Sequence, residues 1–254
     1  MPTFETVSYA VTEGRGEVRL DRPDVLNAYD DRMLDELDAC IETAMTDDAV
    51  GAVVLTGRGR GFCSGVDLDA ATDHADTRQA FRAHRGQVDA VYRRLYKSEK
   101  PTIAAVNGPA IGAGFGFALC CDLRVMATDA FMRDHHLDVG LAPSVGAGWL
   151  LSRLVGESKA KEIVLRSGDV TADDAADCGL VTEVVEPGET VAAARRIADD
   201  LVEKPRTALR GAVNLLNAPL SFEEYVQSAT EWQWRCRRRD GAGARSSGDT
   251  DPET

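Results

Sequence analysis

The stretch VNGPAIGAGFGFALCCD, residues 106–122, decides the fold. Asn107-Gly108-Pro109 is a turn signal, the preceding residues 102–106 have the pattern of a short buried strand, and an apolar helical run begins at Phe115. The sequence therefore predicts a strand, a glycine-rich turn and a helix. Such a turn leaves unpaired N–H groups at the positive end of the helix dipole, and residues without bulk let a ligand oxygen approach them. We interpret the turn as an oxyanion-binding site.

A phosphate-binding turn is the competing interpretation. A dinucleotide site needs G-x-G-x-x-G and an acidic residue about 20 positions further on. Here the glycines are Gly112, Gly114 and Gly116, so the third glycine comes one residue early, and the position of the acid is His136. The sequence G-x-x-x-x-G-K-[ST] does not occur in the chain. A tight packing turn without a ligand stays open on this stretch alone.

A second glycine-rich turn lies upstream and changes this balance. Residues 50–56 have the pattern of a strand, and GRGRGFCSGVDL follows at residues 57–68. FCSGVDL resembles the F-x-[AS]-G-x-D-L turn of the crotonase (enoyl-CoA hydratase/isomerase) superfamily. KPTIAAVNGPAIGAGFGFALCCDLRVMA, residues 100–127, resembles the second glycine-rich segment of that family. The likeness runs from about Val18 to about Trp234.

Alternating strand and helix patterns point to an α/β protein. The resemblance implies more: a crotonase-like spiral of ββα units with a helical C-terminal region, assembled as a homotrimer or hexamer. We expect residues 1–187 to form the core with the acyl-CoA site and residues 188–236 to form the helical region. Residues 237–254, rich in Gly, Ser and Asp, predict a disordered tail in place of the last amphipathic helix of the family.

The resemblance also implies a substrate, an acyl-CoA thioester, whose carbonyl oxygen would accept hydrogen bonds from the N–H groups of Val66 and Ala113. Negative charge collects on that oxygen when a neighbouring proton moves, and fixed donors stabilise it. Contacts to the substrate are expected from the residues around the two donors, Cys63, Ser64, Gly65, Asp67, Leu68, Gly112 and Gly114. We expect no metal and no cofactor other than the coenzyme A carried by the substrate.

The acid–base residues depart from the family pattern. The two glutamates of its hydratases match Gly116 and His136, and the acid of some isomerases matches Ser144 or Val145. Hydration by two carboxylates is therefore not expected. His136 is the best remaining candidate for the catalytic base, because an imidazole exchanges protons near neutral pH. The alternative is that His135-His136 is an ordinary polar pair in a loop.

Other titratable residues rank below His136. Asp138 is the next catalytic candidate, and Asp134 is a neighbour that could orient or charge the imidazole. His74 and His84 lie in polar surroundings, and we expect both to be exposed to solvent.

The sequence is compatible with two functions. The first is an enzyme of the enoyl-CoA hydratase/isomerase family with single-base chemistry, such as double-bond isomerisation, decarboxylation or an unusual hydration. The second is a pseudoenzyme that binds acyl-CoA without turnover, which Gly116, Ser144 and Val145 motivate. A dinucleotide dehydrogenase is disfavoured by the glycine spacing.

The composition excludes further classes. The net charge of −13 argues against nucleic-acid binding as a main function. No apolar run approaches the roughly 20 residues of a membrane span. The first ten residues lack the features of a secretory signal, so we expect a cytoplasmic protein.

The six cysteines of the chain include no C-x-x-C pair, which fits reduced, buried thiols rather than a zinc site. The 26 Asp and 24 Arg against 5 Lys favour adaptation to high salt, the alternative being an ordinary acidic protein from an Arg-rich proteome.

Overall fold

The computed structural model describes residues 3–68 and 77–239. Its strands are β1 (Val7–Thr12), β2 (Arg15–Leu20), β3 (Ala52–Gly57), β4 (Thr102–Val106), β5 (Ala110–Ile111), β6 (Leu123–Ala127), β7 (Phe131–Arg133), β8 (Val170–Thr171) and β9 (Glu183–Val185). Its helices are α1 (Asp31–Thr46), α2 (Arg78–Tyr96), α3 (Ala113–Cys120), α4 (Leu151–Val155), α5 (Glu157–Arg166), α6 (Ala172–Asp177), α7 (Thr190–Val202), α8 (Arg206–Asn217) and α9 (Phe222–Arg239).

The strands form a larger and a smaller sheet. The larger sheet has the order β1-β2-β3-β4-β6-β9, in which β1 and β2 are antiparallel and the other neighbours are parallel. The smaller sheet has the order β5-β7-β8. Helices alternate with the parallel strands, so the chain is an α/β protein, as the sequence predicts.

The core lies on both faces of the larger sheet. Every residue of β3 and β4 is buried, as expected for central parallel strands that are covered on both sides. One face packs against α1, α2 and α3, and the other packs against three alanines of α7, Ala193, Ala194 and Ala198. Small side chains on α7 let that helix lie close to the sheet.

Helix α1 has a capped N-terminus and one buried face. The carboxylate of Asp30 accepts a hydrogen bond from the Met33 N–H (2.8 Å), which caps the N-terminus. The buried residues recur at helical spacing, at Met33, Leu34, Leu37, Cys40, Ile41 and Ala44. This spacing places one face of α1 against the larger sheet and leaves the acidic face toward solvent and α2.

Some elements differ from the prediction. The short strands β5, β7 and β8 have no counterpart among the predicted elements, and a π-helical turn, Gly146–Leu150, precedes α4. Helix α9 continues to Arg239, so residues 237–239 of the predicted tail are helical. The rest of that tail and His74 lie outside the described residues. Within residues 3–68 and 77–239, the helices are too short or too polar to cross a membrane.

Candidate active site

The two glycine-rich turns meet beside the smaller sheet. The Cys63 N–H donates to the carbonyl oxygen of Pro109 (3.1 Å), and the Ile111 N–H donates to the carbonyl oxygen of Cys63 (2.9 Å). These bonds join the first turn to β5 as a short parallel bridge. A Cβ atom at Gly114 would lie 2.1 Å from the Cys63 carbonyl oxygen, so a residue with a side chain does not fit there.

Two glycines adopt left-handed backbone conformations at the turns. Gly65 has φ +94°, and Gly112, which directly precedes α3, has φ +58°. Residues with side chains rarely adopt such angles, whereas glycine does so without strain. The N–H groups that follow these glycines belong to Val66 and Ala113, so the glycines determine where both donors point.

The N–H groups of Val66 and Ala113 have no acceptor among the residues that the structure describes. Val66 is held in place by its neighbours, since Tyr29 accepts a hydrogen bond from Asp67 N–H and donates one to the Gly65 carbonyl oxygen (both 2.8 Å). Ala113 is the first residue of α3, where the helix dipole adds partial positive charge. Both residues border one cavity, which makes the two N–H groups available to a ligand oxygen.

An ion pair anchors the loop that carries Val66. The guanidinium of Arg22 donates to Asp67 Oδ2 (2.8 Å) and to the carbonyl oxygen of Ala28 (2.6 Å). Both side chains are mostly buried. Asp67 therefore stabilises the turn and does not border the cavity.

The cavity has a volume of about 530 Å³ and a mainly apolar wall. The two turns contribute Ser64, Gly65, Val66, Ile111, Gly112 and Ala113. Apolar side chains contribute Leu68, Phe81, Val139, Leu141, Ala142 and Pro143. The remaining lining residues are Tyr29, His84, Arg85, His135, His136 and Ser144. This volume suits an organic acyl group.

His136 lies in the cavity wall, as the sequence predicts. Its Nδ1 atom contacts Asp134 Oδ1, and the two side chains are 13 % and 1 % exposed. An ionised Asp134 only accepts hydrogen bonds, and this assignment places the proton of the imidazole on Nδ1 and leaves Nε2 to exchange a proton. Asp134 directly follows β7 and thus fixes the imidazole to the smaller sheet.

Besides Asp67, three predicted site residues lie outside the cavity wall. Asp138 is exposed to solvent, within the short 3₁₀ helix Leu137–Val139. Cys63 is fully buried, and burial raises the pKa of its thiol to about 12, so its backbone joins the turns while its side chain fills the core. Gly114 lies behind the turn against Cys63. The structure thus gives Cys63, Gly114 and Asp67 supporting positions, whereas Ser64, Gly65, Leu68 and Gly112 border the cavity.

Tyr92 occupies the space beside Gly116. A Cβ atom at Gly116 would lie 2.4 Å from the Tyr92 hydroxyl oxygen. That hydroxyl is 3.3 Å from Ser144 Oγ, and burial raises its pKa, so Tyr92 stays neutral at ordinary pH. A side chain at position 116 would therefore require the buried Tyr92 ring to move.

His84 is not exposed, contrary to the sequence-based expectation. Its side chain is 11 % exposed, borders the cavity and contacts Asp31 Oδ1 through Nδ1 (2.9 Å). The spacing of the sequence indicates this burial, because Phe81, His84 and Val88 are three and four residues apart and so share one helix face. Polar neighbours along the chain obscured that spacing.

Comparison with known proteins shows the family of this chain. A family model described as enoyl-CoA hydratase/isomerase matches residues 11–236. The chain belongs to the enoyl-CoA hydratase/isomerase family. Members of this family act on CoA thioesters, and the chain is an enzyme of this class.

Individual relatives span different reactions within the family. A short-chain-enoyl-CoA hydratase of Clostridium acetobutylicum is 35 % identical over 201 residues, which cover 79 % of this chain and 76 % of that protein. A 1,2-epoxyphenylacetyl-CoA isomerase of Escherichia coli is 33 % identical over 240 residues, covering 88 % of this chain and 89 % of that protein. The crystal structure of an enoyl-CoA hydratase of Mycobacterium smegmatis superposes with a TM-score of 0.86 at 29 % identity and covers 92 % of both chains.

The contact between Gly114 and Cys63 generates a prediction. Gly114→Ala should lower the free energy of unfolding by about 1–3 kcal/mol, because the added methyl group has no room and must separate the two turns. Gly86→Ala is the matched control. A Cβ atom at Gly86 meets no atom within 4 Å, and replacing a helical glycine by alanine stabilises by about 0.5–1 kcal/mol. Urea unfolding measures both, and equal stability of the two variants would contradict the assigned packing.

Proposed function

We propose that this enzyme converts an acyl-CoA thioester by single-base chemistry, with double-bond isomerisation or a related proton transfer as the reaction. The observation that carries the proposal is the His136–Asp134 pair, which shares a cavity with the unengaged N–H groups of Val66 and Ala113. In this proposal the thioester carbonyl oxygen accepts hydrogen bonds from both N–H groups. The thioester then lies beside Ser64, Gly65, Leu68 and Gly112, which border the cavity.

The two N–H donors make the proton next to the carbonyl group removable. When a base takes that proton, the electron pair of the C–H bond moves toward the carbonyl oxygen, which becomes negative. A fixed donor at such an oxygen lowers the barrier by about 3–4 kcal/mol. Backbone donors need no particular side chain, so Val66 and Ala113 are suitable residues.

His136 supplies the base in this proposal. With Asp134 accepting from Nδ1, the Nε2 atom takes the proton, and the carboxylate of Asp134 stabilises the resulting imidazolium. Asp134 Oδ2 is buried and has no hydrogen-bond partner among the described residues, and the contacts of Oδ1 are with the backbone N–H and the imidazole of His136. Asp138, exposed and outside the cavity wall, is poorly placed to act directly.

Hydration by two carboxylates is disfavoured by the same geometry. Hydration needs a second group that holds and activates water opposite the first base. Position 116 has no side chain, and the buried Tyr92 fills its surroundings. Position 136 holds an imidazole. An isomerisation, in which a proton leaves one carbon and enters another, needs no held water.

A binding protein without turnover is the second candidate. The loss of both glutamate positions favours it, whereas the buried carboxylate beside His136 favours catalysis. We further propose that the enzyme needs no cofactor beyond the coenzyme A of its substrate, and that it works in the cytoplasm. The free cysteines, Cys40, Cys63, Cys120, Cys121, Cys178 and Cys236, fit a reducing compartment.

The role of His136 gives a kinetic prediction. His136→Ala should lower turnover by about 10²–10⁴-fold, because a general base is lost, while affinity for a CoA thioester stays nearly unchanged. Absorbance assays with crotonyl-CoA and a 3-enoyl-CoA measure turnover. Asp138→Ala, which alters an exposed carboxylate of the same loop, should behave like the unmodified enzyme. Full turnover in His136→Ala would assign the base elsewhere, and absence of turnover in the unmodified enzyme with intact binding would favour the pseudoenzyme.

We also propose a homotrimer or hexamer that is adapted to salt. Large apolar side chains on α8 and α9 are exposed in the single chain, at Leu216, Phe222 and Trp234. The melting temperature should rise with KCl, because salt screens the self-repulsion of a net charge of −13. Light scattering and thermal unfolding in a KCl series measure both. A monomer at molar salt would contradict the assembly.

A further inference from the structure

The cavity contains a second histidine–carboxylate pair. His84 on α2 borders the same cavity as His136, and its Nδ1 atom lies 2.9 Å from Asp31 Oδ1 at the start of α1. As at His136, an ionised carboxylate accepts from Nδ1–H, so Nε2 is the nitrogen that takes up or releases the second proton. A mostly buried, oriented imidazole in a substrate cavity is suited to proton transfer.

The two imidazoles are connected to the backbone segments of different donors. His84 stacks on the Tyr29 ring (centroids 6.0 Å apart, planes at 21°), and Tyr29 forms the backbone bridge to Val66. His136 is tied to Asp134, and the carbonyl oxygen of the preceding residue, Arg133, accepts from the Gly112 N–H (2.9 Å). One pair therefore belongs to the Val66 side and the other to the Ala113 side.

The contact between His84 and Asp31 also has a structural role, because it joins α2 to α1. Helices α1 and α2 are joined by other polar contacts, Gln87 Nε2 to Asp35 Oδ1 (3.0 Å) and Arg94 Nη2 to Asp38 Oδ2 (2.9 Å). The His84–Asp31 contact continues this series. It differs in one respect, because His84 borders the cavity whereas Gln87 and Arg94 do not.

We propose that His84 is a second acid–base residue of this site and that the enzyme moves protons with two imidazoles in place of two carboxylates. This inference rests on the proposed function, and it specifies the substrate class as a 3-enoyl-CoA thioester. Such a substrate needs one proton removed at C2 and one delivered at C4.

In the proposed isomerisation, one proton leaves C2 and another enters C4. Neutral His136 takes the C2 proton, and the electron pair of that C–H bond forms a dienolate whose oxygen accepts from the Val66 and Ala113 N–H groups. The dienolate then takes a proton at C4 from the imidazolium of His84, and the double bond forms between C2 and C3. His136 ends protonated and His84 neutral, and exchange with water resets both. The hydrogen that enters C4 therefore comes from solvent.

The test uses 3-enoyl-CoA deuterated at C2, in ordinary water, with the full-length enzyme. Mass spectrometry and NMR report the loss of deuterium at C2 and the hydrogen delivered to C4. His84→Asn keeps a donor for Asp31 but does not titrate near neutral pH. It should lower isomerisation by about 10²–10⁴-fold while exchange at C2 by His136 and thioester affinity persist. Gln87→Ala, which removes a comparable contact between α1 and α2 away from the cavity, should isomerise like the unmodified enzyme.

Three results would overturn the role of His84. They are substrate deuterium appearing at C4 in the unmodified enzyme, undiminished isomerisation by His84→Asn, and an equal loss in Gln87→Ala. Failure of the proposed function looks different, because the unmodified enzyme would then exchange no deuterium at C2. That result would remove the roles of both imidazoles together, whereas retained exchange with lost isomerisation in His84→Asn supports the inference.

Discussion

The site depends on the close approach of two glycine-rich turns. Gly114 lies so near the Cys63 carbonyl oxygen that a methyl group would not fit, and hydrogen bonds from Cys63 and Ile111 lock the turns together. This contact sets the separation of the Val66 and Ala113 N–H groups, the donors of the proposed oxyanion hole. Because the constraint is made of backbone atoms, the side chains around the cavity can change while the donor pair keeps its geometry.

That separation of tasks accounts for the unusual acid–base residues. In the proposed mechanism the backbone stabilises negative charge on a thioester, and the surrounding side chains decide where protons go. Tyr92 lies against Gly116, so a carboxylate side chain at position 116 would have to displace the tyrosine ring. The imidazoles of His136 and His84, each held by an aspartate, border the cavity instead. The arrangement favours moving a proton between two carbons over holding a water molecule.

The sequence predicts the fold well where local patterns are strong. The buried runs of β3 and β4 and the two glycine turns appear as expected. The smaller sheet was missed because strands of two or three residues have too few positions to show a period. Tyr92 was missed because its contact with Gly116 joins α2 to α3 and has no local signature. His84 could have been found from its spacing to Phe81 and Val88, whereas its partner Asp31 lies on another helix. Contacts between distant segments thus decide the part of the site that the sequence did not reveal.

The central claim is that the Val66 and Ala113 N–H groups polarise a thioester carbonyl. Infrared difference spectra of an acyl-CoA with a ¹³C-labelled carbonyl test it directly, since hydrogen bonds lower the stretching frequency. Binding should shift the labelled band below its position in water. Ala113→Pro should lose much of that shift, because proline is accepted at the first position of a helix but lacks the N–H. A bound thioester whose band stays at its position in water, or a full shift in Ala113→Pro, would contradict the account.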